Sequence, residues 1–390
     1  MENISKNAVK TVCAVDMCCG CMACSEICSK GAIDIIDSLK SFNAVKNDKC
    51  VDCGLCEKIC PQNNPVETKE PIEWYQGWAK DDIIRKNSSS GGYASSIAKS
   101  FIEAGGIVCS CEFYNGTFGF SFARNNEELR GFAGSKYVKS NPKEVYRKAK
   151  KKLQNGERLL YIALPCQIAG LKSFVGQKLQ DNLYTIDLIC HGTPSELLLN
   201  KFLMQYDIKL QEVDSISFRH KTSFALNGDF KQLTLKGSGD CYTLAFLHGL
   251  CYTNNCYECQ YAKKKRVSDL TLGDSWLSEL SSNEVQNGIS LVLCQTVKGK
   301  ELLTSGNLKT CPIDLNDAIL HNGQLSHASI RPNNWYNFFC DLNCNKSFNR
   351  LVFKYLTKAY IRQVIKRICL RLGIVKLSGG IYQISIRQKK

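Results

Sequence analysis

The chain has 390 residues, 44% of them hydrophobic and 22% charged, enough for two or three domains with real cores, which excludes a disordered tail or a disulfide miniprotein. Its net charge of +15 is placed unevenly, because residues 346–390 carry 12 basic and no acidic side chains. Cysteine is the outlier, with 23 residues and ten of them before residue 61.

No stretch approaches the roughly 18 continuous apolar residues of a membrane span, and Met1-Glu2-Asn3-Ile4-Ser5-Lys6 lacks a charged-then-apolar signal pattern. A cytoplasmic protein is expected. In a reducing compartment, thiols at this density point to metal ligation or redox chemistry before disulfides.

The first element is a repeat. Cys18-x2-Cys21-x2-Cys24-x3-Cys28 recurs 32 residues later as Cys50-x2-Cys53-x2-Cys56-x3-Cys60-Pro61. This cadence suits two 4Fe-4S cubes, with three thiolates on a tight loop and the fourth reaching the other cluster. The expected ligand sets are Cys18, Cys21, Cys24 and Cys60 for one cube, and Cys50, Cys53, Cys56 and Cys28 for the other. Zinc also takes C-x2-C pairs, but it does not need a third and fourth cysteine at this spacing. Gly20 and Gly54 fit loops whose amides approach sulfur, and Gly31 to Ile36 reads as a short strand. The module resembles the bacterial dicluster ferredoxins over about 50 residues. It departs from them at Ser29, where proline is usual, and in lacking a matching strand after Pro61. Cys13 and Cys19 are spare and are read as non-ligands.

After a linker from Pro61 to Pro71, Ser88-Ser89-Ser90-Gly91-Gly92 opens a helix from Tyr93 to Ala104, and Ile107-Val108-Cys109 begins a strand. A Ser/Gly loop at a helix start can hold phosphate on free amides, although a capped surface helix has the same sequence pattern. Arg158 to Ala163 is an apolar strand leading through Leu164-Pro165-Cys166-Gln167 into a helix. Leu183 to Ile189 is another, leading through Cys190-His191-Gly192 to a helix capped by Thr193-Pro194. Strand-helix alternation implies a largely parallel or mixed sheet, with Cys166 and Cys190 beyond the strand ends where such sheets bind ligands. Cys256-x2-Cys259 follows, then Lys263-Lys264-Lys265-Arg266, read as a solvated charge run, and a strand at Leu270 to Trp276. On spacing, Cys166, Cys190, Cys256 and Cys259 suit a further 4Fe-4S cluster. Cys251, Cys256 and Cys259 with Cys294 suit a 2Fe-2S cluster instead, and a zinc knuckle or isolated buried thiols also match.

Ser90-Gly91-Gly92, Gly134 to Val138, Leu164 to Leu171, Asp187 to Gly192, Cys256-x2-Cys259 and Asp269 to Trp276 together resemble the coenzyme F420 hydrogenase/dehydrogenase beta-subunit family, over residues 75 to about 345. Leu164 stands where many members have Thr. The resemblance implies a flavin oxidoreductase in which FAD lies at the sheet edge beside an iron-sulfur cluster and exchanges hydride with a deazaflavin or another two-electron substrate. It implies Cys166, Cys190, Cys256 and Cys259 as ligands of a third 4Fe-4S cluster. Flavin contacts are expected at Ser90, Gly91, Gly92, Lys136 and Tyr137, where helix-start amides and an ammonium suit a pyrophosphate. His191 is the candidate proton donor, set against a purely structural histidine. Asp274 either bonds a ligand or turns the chain after its strand. Family members fused to a dicluster ferredoxin are often found with polysaccharide biosynthesis genes.

The last element is a basic helix, with Lys346, Arg350, Lys354, Lys358, Arg362 and Lys366 at every fourth position. At about 3.6 residues per turn this row winds around the helix. An anionic membrane surface or an acidic partner suits it, and nucleic acid is not expected. The expected architecture is an α+β dicluster ferredoxin module at residues 1–65, an α/β central domain at 66–345 and a basic helical tail at 346–390. The expected function is an iron-sulfur flavoprotein oxidoreductase working with a redox partner protein or a small-molecule hydride donor or acceptor, at the inner face of the membrane or free of it. A non-catalytic ferredoxin-type subunit serving another enzyme is the alternative, and a zinc scaffold a third.

Overall fold

The structure is a computed structural model and describes residues 10–374. The reading of Met1 to Lys6 and the tail beyond Ile374 therefore fall outside the described residues. In chain order the strands are β1 Ile33–Asp37, β2 Phe42–Lys46, β3 Glu73–Ala79, β4 Ile107–Tyr114, β5 Thr117–Ala123, β6 Leu159–Ala163, β7 Leu183–Leu188, β8 Ile216–His220, β9 Ser223–Gly228, β10 Leu270–Asp274, β11 Ser290–Cys294 and β12 Leu308–Cys311. Eight of them form one sheet in the order β12-β3-β11-β10-β7-β6-β4-β5. Its centre, β4, β6, β7 and β10, is parallel, while β5, β11, β3 and β12 pair antiparallel with their neighbours. The central region is thus α/β with a mixed sheet.

Both faces of this sheet are covered, which is why β6 and β11 are buried at every position. Alternation along β6 sends Leu159, Tyr161 and Ala163 to the face packed by helices Val145–Gln154 and Pro165–Val175. Leu160 and Ile162 face the other layer, where Tyr93, Ile97 and Phe101 of helix Tyr93–Glu103 pack. A second core, rich in Phe and Tyr, is built on helices Glu196–Leu203, Cys241–Leu247, Trp335–Asn343 and Phe348–Tyr355.

Two expectations need correction here. The helix after β7 is capped by Ser195, whose hydroxyl accepts from the Leu197 N–H, because the Thr193 and Pro194 carbonyls are already used by the amides of Thr253 and Lys139. Among the described residues the basic tail is two helices, since the chain breaks at Leu356 before the helix Thr357–Arg371. Phe348, Leu351 and Val352 are buried in the aromatic core, so the start of the tail is part of the central body.

At the N-terminus the 32-residue repeat is written into the backbone. Helices Ala23–Ile27 and Leu55–Ile59 are offset by that interval, as are the left-handed pairs Gly20 (φ 62°) with Asp52 (φ 49°) and Met22 (φ 65°) with Gly54 (φ 73°). The strand partner of β1 is β2, which precedes the second cysteine run. The linker is strapped to the central body by paired backbone bonds between Lys69 and Arg266, 2.8 and 2.9 Å. Among the described residues no helix is long and apolar enough to cross a membrane.

Candidate functional site

Parallel strands deliver their carboxyl ends to one edge, and β6, β7 and β10 do so at Ala163, Leu188 and Asp274. A cavity of about 390 Å³ opens there, within the size range of ligand pockets. Its floor is the Ser88 to Ser90 loop and the first turn of helix Tyr93–Glu103. Gly92 takes φ +88° at that helix start, no side chain caps it, and among the described residues the Tyr93, Ala94 and Ser95 amides have no hydrogen-bond partner. Aromatic rings and a guanidinium line the cavity as well. Arg219 donates to both oxygens of Asp274 at 2.6 Å and lies over Phe224 and Trp276, while Tyr137 stacks on Phe246 with centroids 4.3 Å apart. A flat heteroaromatic ligand suits such a wall.

Of the expected flavin contacts, Ser90, Gly92, Lys136 and Tyr137 line this cavity. Gly91 does not. A Cβ there would stand 2.4 Å from the Gly77 carbonyl and 2.6 Å from the Ser290 amide, so its role is to let the loop lie against β3 and β11. The Lys136 ammonium is engaged by the carbonyls of Gly131, Phe132 and Ala133 at 2.9 to 3.2 Å and closes its own loop, and burial lowers its pKa. Lys221, which the sequence did not single out, donates to the carbonyls of Arg85 and Ser90 and braces the Ser/Gly loop. His191 lines the cavity, and burial lowers its pKa, with the Asp274 charge opposing. Its ring makes no hydrogen bond among the described residues. Asp274 ends β10, as one of its two readings had it, and its carboxylate is engaged by Arg219.

Behind this cavity lies a second, of about 30 Å³, and Leu164, Cys190, Gly192 and Thr193 line both. Cys166 sits in the first turn of helix Pro165–Val175, Cys190 just beyond β7, and Cys256 and Cys259 on the turn Asn254–Glu258 and at its end. All four border the small cavity. Burial first, then the neighbouring thiols, push the Cys190 pKa up. The Thr193 N–H donates to the Cys256 Sγ at 3.4 Å. Cys251 is buried in the aromatic core and Cys294 under the sheet on β11, so the 2Fe-2S set with both of them is not assembled. Among the described residues no group of three or more His, Cys, Asp or Glu side chains converges on a single-ion site.

Two residues join the four thiols unforeseen. Cys19, read as spare, borders the small cavity and is buried in one cluster with Cys21, against which Cys166 packs. Lys139, only 7% exposed, donates to the Cys166 Sγ at 3.3 Å and forms no ion pair with a carboxylate among the described residues. A buried ammonium needs a negative partner, and a thiolate-bound iron-sulfur cluster supplies one, so the residues present fit such a group. No sequence cue separates Lys139 from exposed lysines, and Cys19 is hidden by the stronger cadence around it.

In the N-terminal module Cys18, Cys24, Cys56 and Cys60 share one buried cluster with Cys13. Cys13, also read as spare, is buried among them, and its thiol is the main reason the Cys60 pKa is held below its ordinary value. The Gly20 N–H donates to Cys18 Sγ, 3.4 Å, and the Ala32 N–H to Cys28 Sγ, 3.3 Å. Cys21 packs on the helix Pro165–Val175, where a Cβ on Gly170 would come within 3.1 Å of it. Cys53 is exposed and Cys28 and Cys50 are half-buried, which puts the second expected ligand set nearer the surface.

The charge run is corrected at its end. Arg266 is buried and pairs with Asp187 at 2.9 Å, while Lys264 and Lys265 reach Glu70 at the surface. The guanidinium also takes the carbonyls of Leu188 and Tyr261, tying the end of β7 to the Cys256 to Cys259 turn.

Comparison with known proteins gives three matching family descriptions. Residues 74–145 and 156–315 match the N-terminal and C-terminal parts of the coenzyme F420 hydrogenase/dehydrogenase beta subunit, and residues 44–65 match a 4Fe-4S binding domain. A coenzyme F420-dependent sulfite reductase from Methanocaldococcus jannaschii is 24% identical over 321 residues, 75% of this chain and 46% of that protein. One component of an ion-translocating oxidoreductase complex from Methanosarcina acetivorans is 43% identical over 54 residues, 14% of this chain and 19% of that protein. The chain thus spans less than half the length of either. A chain of the F420-reducing NiFe hydrogenase complex from Methanosarcina barkeri superimposes with TM-score 0.46 at 17% identity, covering 81% of this chain and 97% of that one.

Proposed function

Because this chain belongs to the coenzyme F420 hydrogenase/dehydrogenase beta-subunit family, we propose that it is an iron-sulfur flavoprotein oxidoreductase subunit. It carries electrons between 4Fe-4S clusters and FAD, with a deazaflavin-like or other two-electron substrate. The observation that carries this reading is the shared wall, in which Cys190 and its neighbours border both the large cavity and the four-thiol cavity. When bound, FAD would exchange a hydride pair with substrate and deliver single electrons to the clusters. The chain's own residues do the rest. First-turn amides at Gly92 to Ser95 receive phosphate, the aromatic wall with the Arg219–Asp274 pair orients a flat ring, and His191 offers a proton at the cavity wall. Cys166, Cys190, Cys256 and Cys259 hold the third cluster. The two N-terminal sets, Cys18, Cys21, Cys24, Cys60 and Cys50, Cys53, Cys56, Cys28, continue the path toward the surface and a redox partner.

The test is anaerobic purification with iron, acid-labile sulfide and acid-released flavin measured on one sample. About twelve irons and one FAD are expected for three cubes. About eight irons without flavin would replace this reading by the non-catalytic electron-transfer subunit.

We further infer a cytoplasmic protein whose C-terminal helix rests on an anionic membrane surface. Helix Thr357–Arg371 exposes Ile361, Ile365 and Ile368, with Leu372 continuing the stripe at helical spacing. Lys358 and Arg362 flank the stripe. Gln363 and Arg367 hold another face of the helix to the body through Gly239 and Ser238.

A further inference from the structure

We propose that Lys139 is a positioning charge that raises the reduction potential of the cluster held by Cys166, Cys190, Cys256 and Cys259. The proposal rests on the third-cluster reading above. Lys139 is fixed from several sides. Its backbone N–H donates to the Pro194 carbonyl at 2.9 Å, and its neighbours Val138 and Ser140 are buried. Its ammonium meets the Cys166 Sγ at 3.3 Å on the wall of the small cavity. The N-terminal loop closes over its stem, so that a Cβ on Gly20 would lie 3.3 Å from the Lys139 Cε.

The contrast with Lys46 gives the residue its meaning. The Lys46 side chain is 9% exposed and lies near Cys56, but Glu57 at 2.7 Å and Asp52 at 3.4 Å neutralise it. Lys139 has no carboxylate among the described residues to spend its charge on, so the charge acts on the thiolates. Reducing an iron-sulfur cluster adds one negative charge, and a hydrogen-bonded ammonium in a dry cavity favours the reduced form. The charge therefore favours an electron residing on the cluster beside the large cavity.

The experiment is a potentiometric titration of the full chain, prepared without oxygen, followed by electron paramagnetic resonance, with iron and sulfide counted on every sample. Lys139→Met is expected to keep its iron and to shift the third-cluster midpoint to more negative potential by more than either N-terminal midpoint moves. Lys139→Arg, which keeps the charge, is expected to stay near the wild-type midpoint. Full iron with an unmoved midpoint in Lys139→Met overturns the proposal. If Lys139→Met loses the third cluster, Lys139→Gln carries the same comparison. Loss in both with retention in Lys139→Arg sustains a requirement for the charge, and loss in all three overturns it in favour of simple packing. A wild-type chain with only two cubes would instead remove the third-cluster reading itself.

Discussion

Replacing Arg266 by Met tests how the site is held together. The Arg266 and Asp187 side chains are 2% and 0% exposed, and the guanidinium gives Asp187 Oδ1 two bonds, at 2.9 and 3.2 Å. Removing one partner of a buried pair strands the other charge, at a cost of about 3–5 kcal/mol. The carbonyls of Leu188 and Tyr261, bonded at 2.9 and 2.7 Å, lose their donor as well and push the loss toward the upper end. Urea unfolding followed by tryptophan fluorescence reads the central region, since Trp74, Trp78, Trp276 and Trp335 all lie there, and the midpoint shift at constant slope gives the loss. Adding Asp187→Val removes the stranded carboxylate and is expected to recover most of it. A single variant within about 1 kcal/mol of wild type, or a double variant no better than the single, would refute the reasoning.

Cys190→Ala is expected to lose about four irons while the N-terminal cube signals persist, because Cys190 borders the small cavity with Cys166, Cys256 and Cys259; iron and sulfide analysis checks it, and unchanged iron would exclude Cys190 as a ligand. Burial, then the charges of Arg85 and Arg219, lower Lys221 from its ordinary 10.5 to about 8. Between those pH values the unfolded chain binds the extra proton, so stability rises with pH across that window, and Lys221→Met should flatten this part of the stability profile relative to wild type. Ile361→Glu with Ile365→Glu should abolish sedimentation with anionic phospholipid vesicles, to which each nearby Lys or Arg contributes up to about 1 kcal/mol; wild-type protein that ignores such vesicles removes the membrane assignment.

Local pattern carried the elements whose cause is local. The cadence from Cys18 to Cys60 foretold a two-fold repeat, which returns as helices Ala23–Ile27 and Leu55–Ile59 with matched left-handed residues, because loop geometry depends on a few neighbouring dihedrals. Apolar runs placed β6 and β7, and their parallel pairing put Cys166 and Cys190 at one edge. What spacing left open turns on tertiary packing. Cys251 and Cys294 went to separate cores while Cys256 and Cys259 joined the two strand-end thiols, a choice made by packing between residues far apart in the chain. Charge was the least legible property. Arg266 looked like the end of a solvated run and Lys139 like any lysine, yet both are buried, one against Asp187 and the other against Cys166. Sequence determines which groups carry charge, but whether a charge is solvated, paired or aimed at a thiolate depends on the elements folded over it, and only the tertiary structure decides that.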